Sequence, residues 1–279
     1  MAPTFGRSIS FPLSPALSSR HHVRSVSLPS SRSHPLLAHL QNNIRAVRAW
    51  VAEPTAPASS GLAHLHALHA ALAELLLLPE ARAALHSGAA TADCLLDGFL
   101  VLADAHGAFQ ETVLEVKRHA AEVQAALRRR DLSRLSSAVR AQRHAEKELA
   151  HLASSVRAAA KFPQVVGPAA SAAEVEVSGV LAEAVAAVAS ASAAVFSALE
   201  SISSAATTAA ASSSKKSTTL VSLVKRTKAA SSDEKEMAAL DRLEDLEECI
   251  AEMEAGSDKV FRSILHTRVA LLNIHTQTC

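Results

Sequence analysis

Tyrosine is absent from this chain of 279 residues, tryptophan occurs once, and aromatic residues make up 3% of it. Sandwiches and barrels build their pleated faces from aromatic and β-branched residues, so this scarcity argues against an all-β fold. Acidic residues are missing from the start, the first being Glu53. A net charge of +1 argues against a protein that coats nucleic acid by charge alone. The three cysteines, Cys94, Cys249 and Cys279, are widely separated and odd in number. That pattern matches neither a disulfide framework nor a zinc-ligand spacing, and it points to a reducing compartment. No apolar signal-peptide core opens the chain, so secretion is not expected and a cytoplasmic location is the simplest reading. The sequence also lacks G-x-S-x-G, P-loop and G-x-G-x-x-G patterns, so it offers no catalytic residue and no cofactor site.

Hydrophobic residues make up 49% of the chain, enough for a core, although many are alanines that each bury little area. The 10 prolines cluster early: Pro3, Pro12, Pro15, Pro29 and Pro35, then Pro54 and Pro57. Beyond them only Pro79, Pro163 and Pro168 interrupt the chain, which leaves long stretches free to be helix. Residues 1–35 are rich in Ser, Arg and Pro. They cannot bury enough apolar surface to offset the entropy of ordering, so a disordered tail is expected there.

From residue 36 the apolar spacing is helical. Leu36, Leu37, Leu40, Ile44, Val47 and Trp50 form a first stripe, ended by Pro54 and Pro57. A second begins near Ser59 or Ser60 with Leu62, Leu65, Leu68, Leu72, Leu75 and Leu76, and Pro79 interrupts it before a short turn of helix to Gly88. Thr91 or Asp93 suits the N-cap of the next helix and Gly107 its C-terminal stop, with a further helix from Ala108 to Arg128–Arg130. Asp131 opens a long helix to about Lys161, and an Ala/Ser-rich helix spans 169–211. A last helix starts near Ser231 or Ser232 and carries a heptad seam, Leu243, Leu246, Ile250, Met253, Ser257, Val260, Ile264, Thr267, Leu271 and Ile274. The expected fold is all-α: an elongated bundle of long antiparallel helices over 36–279, with breaks near 163–168 and 212–219.

Three groups of residues carry a family resemblance. They are His22–Ser30 with Arg32-Ser33-His34-Pro35; Leu95-Leu96-Asp97-Gly98-Phe99 with Leu127-Arg128-Arg129-Arg130; and Leu246–Ile250 with Arg268–Ile274. The chain thereby resembles the plant family called domain of unknown function 241, related to the BYPASS proteins, over nearly its whole length. The resemblance implies a plant-specific helical protein associated with root and shoot development, to which no enzymatic activity is attached. His69 departs from the pattern, standing where the family would place an aromatic residue.

One local motif occurs twice. Arg7-Ser8-Ile9-Ser10-Phe11-Pro12 and Arg24-Ser25-Val26-Ser27-Leu28-Pro29 share R-S-x-S-x-P, and the family resemblance covers the second copy. Arginine three residues before Ser10 and Ser27 suits the acidic site of a basophilic kinase. A phosphate there adds close to two negative charges and three acceptor oxygens, which the arginine clusters of 14-3-3 proteins recognise. Pro12 and Pro29 would turn the chain out of the groove. The 17 residues between the serines reach roughly 55–60 Å when extended, so a dimeric reader could hold both sites with a gain in avidity. The bland alternative is chance matching in a biased tail. The same Arg- and Ser-rich, acid-free segment also has the composition of a plastid or mitochondrial transit peptide.

Other constellations read as structural. His66 and His69 share a helix face without a Cys to complete a ligand set, and a solvated face is expected. His144, Glu148 and His151 miss the H-E-x-x-H spacing. Cys249 reads as a small residue flanking a core. Arg128–Arg130 and Lys225, Arg226 and Lys228 are solvated helix ends or contacts for anionic lipid. Ala184–Leu199 is uncharged but short for a membrane span. The sequence therefore supports a non-enzymatic regulatory or scaffold-type interaction protein. It implies protein partners such as 14-3-3, no nucleic acid, no metal and no cofactor, with a membrane-peripheral or organelle-targeted protein as the alternative.

Overall fold

The computed structural model describes residues 34–53, 56–159, 172–213 and 232–276. Among them are seven helices and no strand: α1 (Pro35–Val51), α2 (Ala58–Leu75), α3 (Pro79–Ser87), α4 (Ala89–Arg128), α5 (Leu132–Ala159), α6 (Ala172–Ser213) and α7 (Ser232–Thr276). The all-α bundle expected from the periodicity is present. The breaks expected near 163–168 and over 214–219 lie outside the described residues, and α6 itself runs through Ser212 to Ser213.

Two prolines begin helices. Pro35, assigned to the tail by composition, is the first residue of α1, where His34 accepts the Leu36 N–H at 3.2 Å. Pro79 starts α3 at an angle of 85° to α2. A proline at the first helical position loses no hydrogen bond and has φ already set. In α1, Leu37, Leu40, Ile44 and Val47 point into the core. The Trp50 indole lies against Gly61 of α2 and donates to the Pro57 carbonyl at 3.3 Å.

The two helices expected to part at Gly107 are one helix of 40 residues, α4. Gly88 occupies its N-cap, so Thr91 and Asp93 sit in or just beyond the first turn instead of capping it. Ala92, Leu95, Phe99, Leu102, His106, Phe109, Val113, Val116, Ala120, Val123 and Leu127 are all buried and follow an unbroken 3–4 spacing. A stop at Gly107 would break that phase, and its burial gain outweighs the roughly 1 kcal/mol cost of a glycine inside a helix. Among the described residues, only Phe261 of α7 comes near the position a Gly107 side chain would take, at 3.7 Å.

α4 ends in a Schellman motif. The Arg130 N–H donates to Leu127 O at 2.9 Å and the Asp131 N–H to Ala126 O at 3.0 Å, with Arg130 in the left-handed region at φ 52°. Asp131 then caps α5, accepting the Arg134 N–H at 3.0 Å. This tight turn folds α5 back along α4.

The helices pack in two rings that share α6 and α7. α4, α5, α6 and α7 form one, and α1, α2, α7 and α6 the other. α4 and α7 run antiparallel along their whole length, pinned by Asp93–His275 at 3.1 Å, Lys117–Glu254 at 2.7 Å and Arg130–Asp233 at 3.0 Å. All ten predicted seam residues of α7 are buried, Ser257 and Thr267 included. The uncharged stretch 184–199 lies within the much longer α6. That helix is long and apolar enough to cross a membrane, with a mean hydropathy of 1.8 over its most apolar window, yet 67% of that window is buried against the other helices.

Candidate functional site

The interior of the bundle holds polar groups that form three seams between helices. The first joins α2 to α7. The Thr267 hydroxyl donates to the Ser263 carbonyl at 2.9 Å, so its oxygen accepts the Nδ1–H of His69 at 3.2 Å. One turn away the Ser263 hydroxyl donates to Lys259 O at 2.8 Å and accepts from His66 Nδ1 at 2.9 Å. His66 to Ser263 and His69 to Thr267 advance together, so α2 and α7 are parallel here. His66 is exposed but His69 is 1% exposed, which corrects the expectation of a solvated histidine face. The His69 ring sits edge-on to Phe99, centroids 5.9 Å apart.

The second seam joins α4 to α6. His106 Nε2 and Ser192 Oγ are 2.8 Å apart, and the imidazole lies edge-on to Phe196, which stacks on Phe109 with centroids 4.3 Å apart. Burial pushes the pKa of His69 down to about 3, with smaller contributions from His106 and His66. Burial alone does the same for His106. Both rings are therefore neutral at physiological pH.

The third seam joins α5 to α6. Gln142 Nε2 donates to Ser203 Oγ at 2.7 Å, Ser203 donates to Glu146 Oε1 at 2.9 Å, and Thr207 donates to the same oxygen at 2.6 Å. All four side chains are buried. Sequence reasoning missed these residues because Gln and Glu on an amphipathic helix ordinarily face water. The signal was their phase: Leu135, Val139, Gln142, Glu146, Leu149, Ala153 and Val156 keep one heptad spacing, with the polar pair inside it.

At the surface there are grooves between helices. One of about 350 Å³ lies at the α4–α5 turn between Arg129 and Arg134; one of about 440 Å³ lies between α4 and α7 beside Leu100, Gly107, Phe261 and Arg268. Neither is lined by a histidine or cysteine. Among the described residues no three His, Cys, Asp or Glu side chains converge as a metal site, and His144, Glu148 and His151 are exposed along α5. Cys249 flanks the core, its thiol pushed up to about 11 by burial and by Glu252. Arg128 and Arg129 are exposed at the end of α4. Arg7, Ser10, Pro12, Arg24, Ser27 and Pro29, and the basic residues Lys225, Arg226 and Lys228, lie outside the described residues.

A family model described as Protein BPS1 matches residues 61–274. The chain belongs to the BPS1 family. The matched span runs from the Trp50-facing glycine of α2 to the last turn of α7, so it takes in all three polar seams. Of the segments that carried the resemblance, those at 95–99, 127–130, 246–250 and 268–274 fall inside it, and 22–35 falls before it. Neither the curated proteins nor the solved structures returned a match.

Proposed function

We propose that this BPS1-family chain is a non-enzymatic regulatory or scaffold-type interaction protein of plant root and shoot development. On this reading the helical body presents surfaces to protein partners, and phosphorylation of the amino-terminal segment switches them. The observation that carries the reading is membership of the BPS1 family over residues 61–274. It is supported by the way the buried polar side chains are used: His69, His106, Gln142 and Glu146 each pair with a hydroxyl on a neighbouring helix, fixing register.

The doubled R-S-x-S-x-P motif supports the switch. Phosphate on Ser10 and Ser27, each with arginine three residues before and proline two residues after, would give a dimeric 14-3-3 protein two tethered sites. The experiment is phosphosite mapping in plant tissue together with binding of a doubly phosphorylated peptide spanning residues 5–31. Phosphate at both serines and tighter binding than either single site is the expected result. Unmodified serines, or no binding, removes the switch.

The competing use of the same segment is targeting, which its acid-free, Arg- and Ser-rich composition supports. A fluorescent fusion of the whole chain compared with one lacking residues 1–35 separates the two. Loss of an organelle signal on deletion favours targeting; an unchanged cytosolic signal with altered partners favours the switch.

A further inference from the structure

The outer face of the α4–α7 pair carries an apolar stripe that no other described helix covers. Leu100 and Leu114 of α4 are 40% and 58% exposed, and Leu265 and Val269 of α7 are 39% and 53% exposed. Gly107 leaves the floor of this stripe low beside Phe261. The two rims carry opposite charge: Asp104 and Glu111 on the α4 side, Arg268 on the α7 side. None of the three has an ion-pair partner among the described residues, and the Nε of Arg268 is enclosed without a hydrogen bond. Elsewhere along the α4–α7 seam charges pair across it, as Asp93–His275, Lys117–Glu254 and Arg130–Asp233, whereas Asp104 and Arg268 line one groove without pairing.

We propose that this face is where a second copy of the chain docks, on a two-fold axis running along the helices. Gly107 opposite Phe261 sets the register of the antiparallel pair. Rotation about that axis lays α4 of one copy on α7 of the other at the same level, and Asp104 of each then faces Arg268 of its mate. The axial offset between them is four residues, about 6 Å at 1.5 Å per residue, within the reach of an arginine side chain. Each contact is made twice, as an isologous interface requires, and the four helices at the join have antiparallel neighbours throughout. A single groove with both signs on opposite rims suits a copy of itself better than a uniformly charged partner. The face between Asp97 and Leu114 spans about 27 Å, which at two helix widths of about 10 Å presents roughly 500 Å² per copy. That is below the roughly 800 Å² per partner of a standard interface, so the dimer forms reversibly and its population rises with concentration.

Sedimentation velocity of the full chain over a concentration series tests this. The expected result is a reversible shift from 29.2 kDa to twice that mass. Leu265→Glu abolishes the shift, and Arg268→Glu or Asp104→Arg alone weakens it by at least about tenfold through like-charge opposition. Asp104→Arg combined with Arg268→Glu restores it, because the pair is re-formed with reversed sign. Asp104 and Leu265 are exposed and Arg268 is half-buried, and an unchanged helical circular dichroism spectrum confirms that each variant is folded. A chain that stays monomeric throughout the series, a dimer indifferent to these substitutions, or failure of the double reversal to restore association overturns the proposal.

Discussion

Acid should loosen this bundle through two side chains, His69 and His106. Both are buried, and in the folded chain both are held at about 3 against 6.5 for an exposed imidazole. Between those values the unfolded chain binds protons that the folded chain refuses, so the stability contributed is complete above about pH 6.5 and falls as the pH drops toward 3. At pH 5 the deficit is about 1.5 pH units per ring, or about 2 kcal/mol for each histidine and about 4 kcal/mol for both. That is a large share of the roughly 5–15 kcal/mol by which a domain is stable. The assay is urea unfolding followed by helical circular dichroism at pH 7 and pH 5, on the wild type, His69→Phe and His69→Phe/His106→Phe. Phenylalanine suits the edge-on seat against Phe99, and Thr267 keeps its bond to the Ser263 carbonyl, so His69→Phe should cost under about 1.5 kcal/mol at pH 7. It should also remove about half of the acid loss assigned to the pair. Comparing variants cancels every other titrating group. Equal pH dependence in the wild type and the double variant would refute the reasoning.

Other substitutions test the packing directly. Glu146→Leu removes the acceptor for Ser203 and Thr207, leaving both buried hydroxyl protons without it while Ser203 still accepts from Gln142, and should lower unfolding free energy by about 2–4 kcal/mol in urea titration. Gly61→Ala places a methyl inside the contact distance of the Trp50 ring, whose Cε2 lies 2.9 Å from that position. It should cost about 1–3 kcal/mol and change the emission of the single tryptophan. At Arg130, φ 52° favours glycine, and substitution by glycine or by alanine removes the same ion pairs to Asp233 and Glu236, so those pairs cancel in the comparison. Arg130→Gly should therefore be more stable than Arg130→Ala by about 1 kcal/mol in thermal unfolding.

The legible part of this protein was whatever repeats with the helix. Ten residues of α7, from Leu243 to Ile274, were assigned to one seam by spacing alone, and all ten are buried. Asp131 as the start of α5, and a start near Ser231 or Ser232 for α7, were readable because a capping side chain or acids in the first turn act on the adjacent turn of backbone. Gly107 was misread as a stop because the same residue that ends helices is tolerated inside one when the flanking phase continues, as it does from Ala92 to Leu127. The R-S-x-S-x-P copies were equally local, and their residues stand outside the described structure.

Local spacing determined that the chain forms helices, where most of them start, and which face of each is apolar, because those properties depend on neighbours three and four residues away. Tertiary structure decided which polar residues outside the predicted α7 seam find a buried partner. His69, His106, Gln142 and Glu146 have the composition of surface positions, and each is buried because a hydroxyl on a helix distant in sequence meets it, as Thr267, Ser192, Ser203 and Thr207 do. A buried polar group is stable only with its partner, and that partner is supplied by the arrangement of helices rather than by the segment in which the group lies.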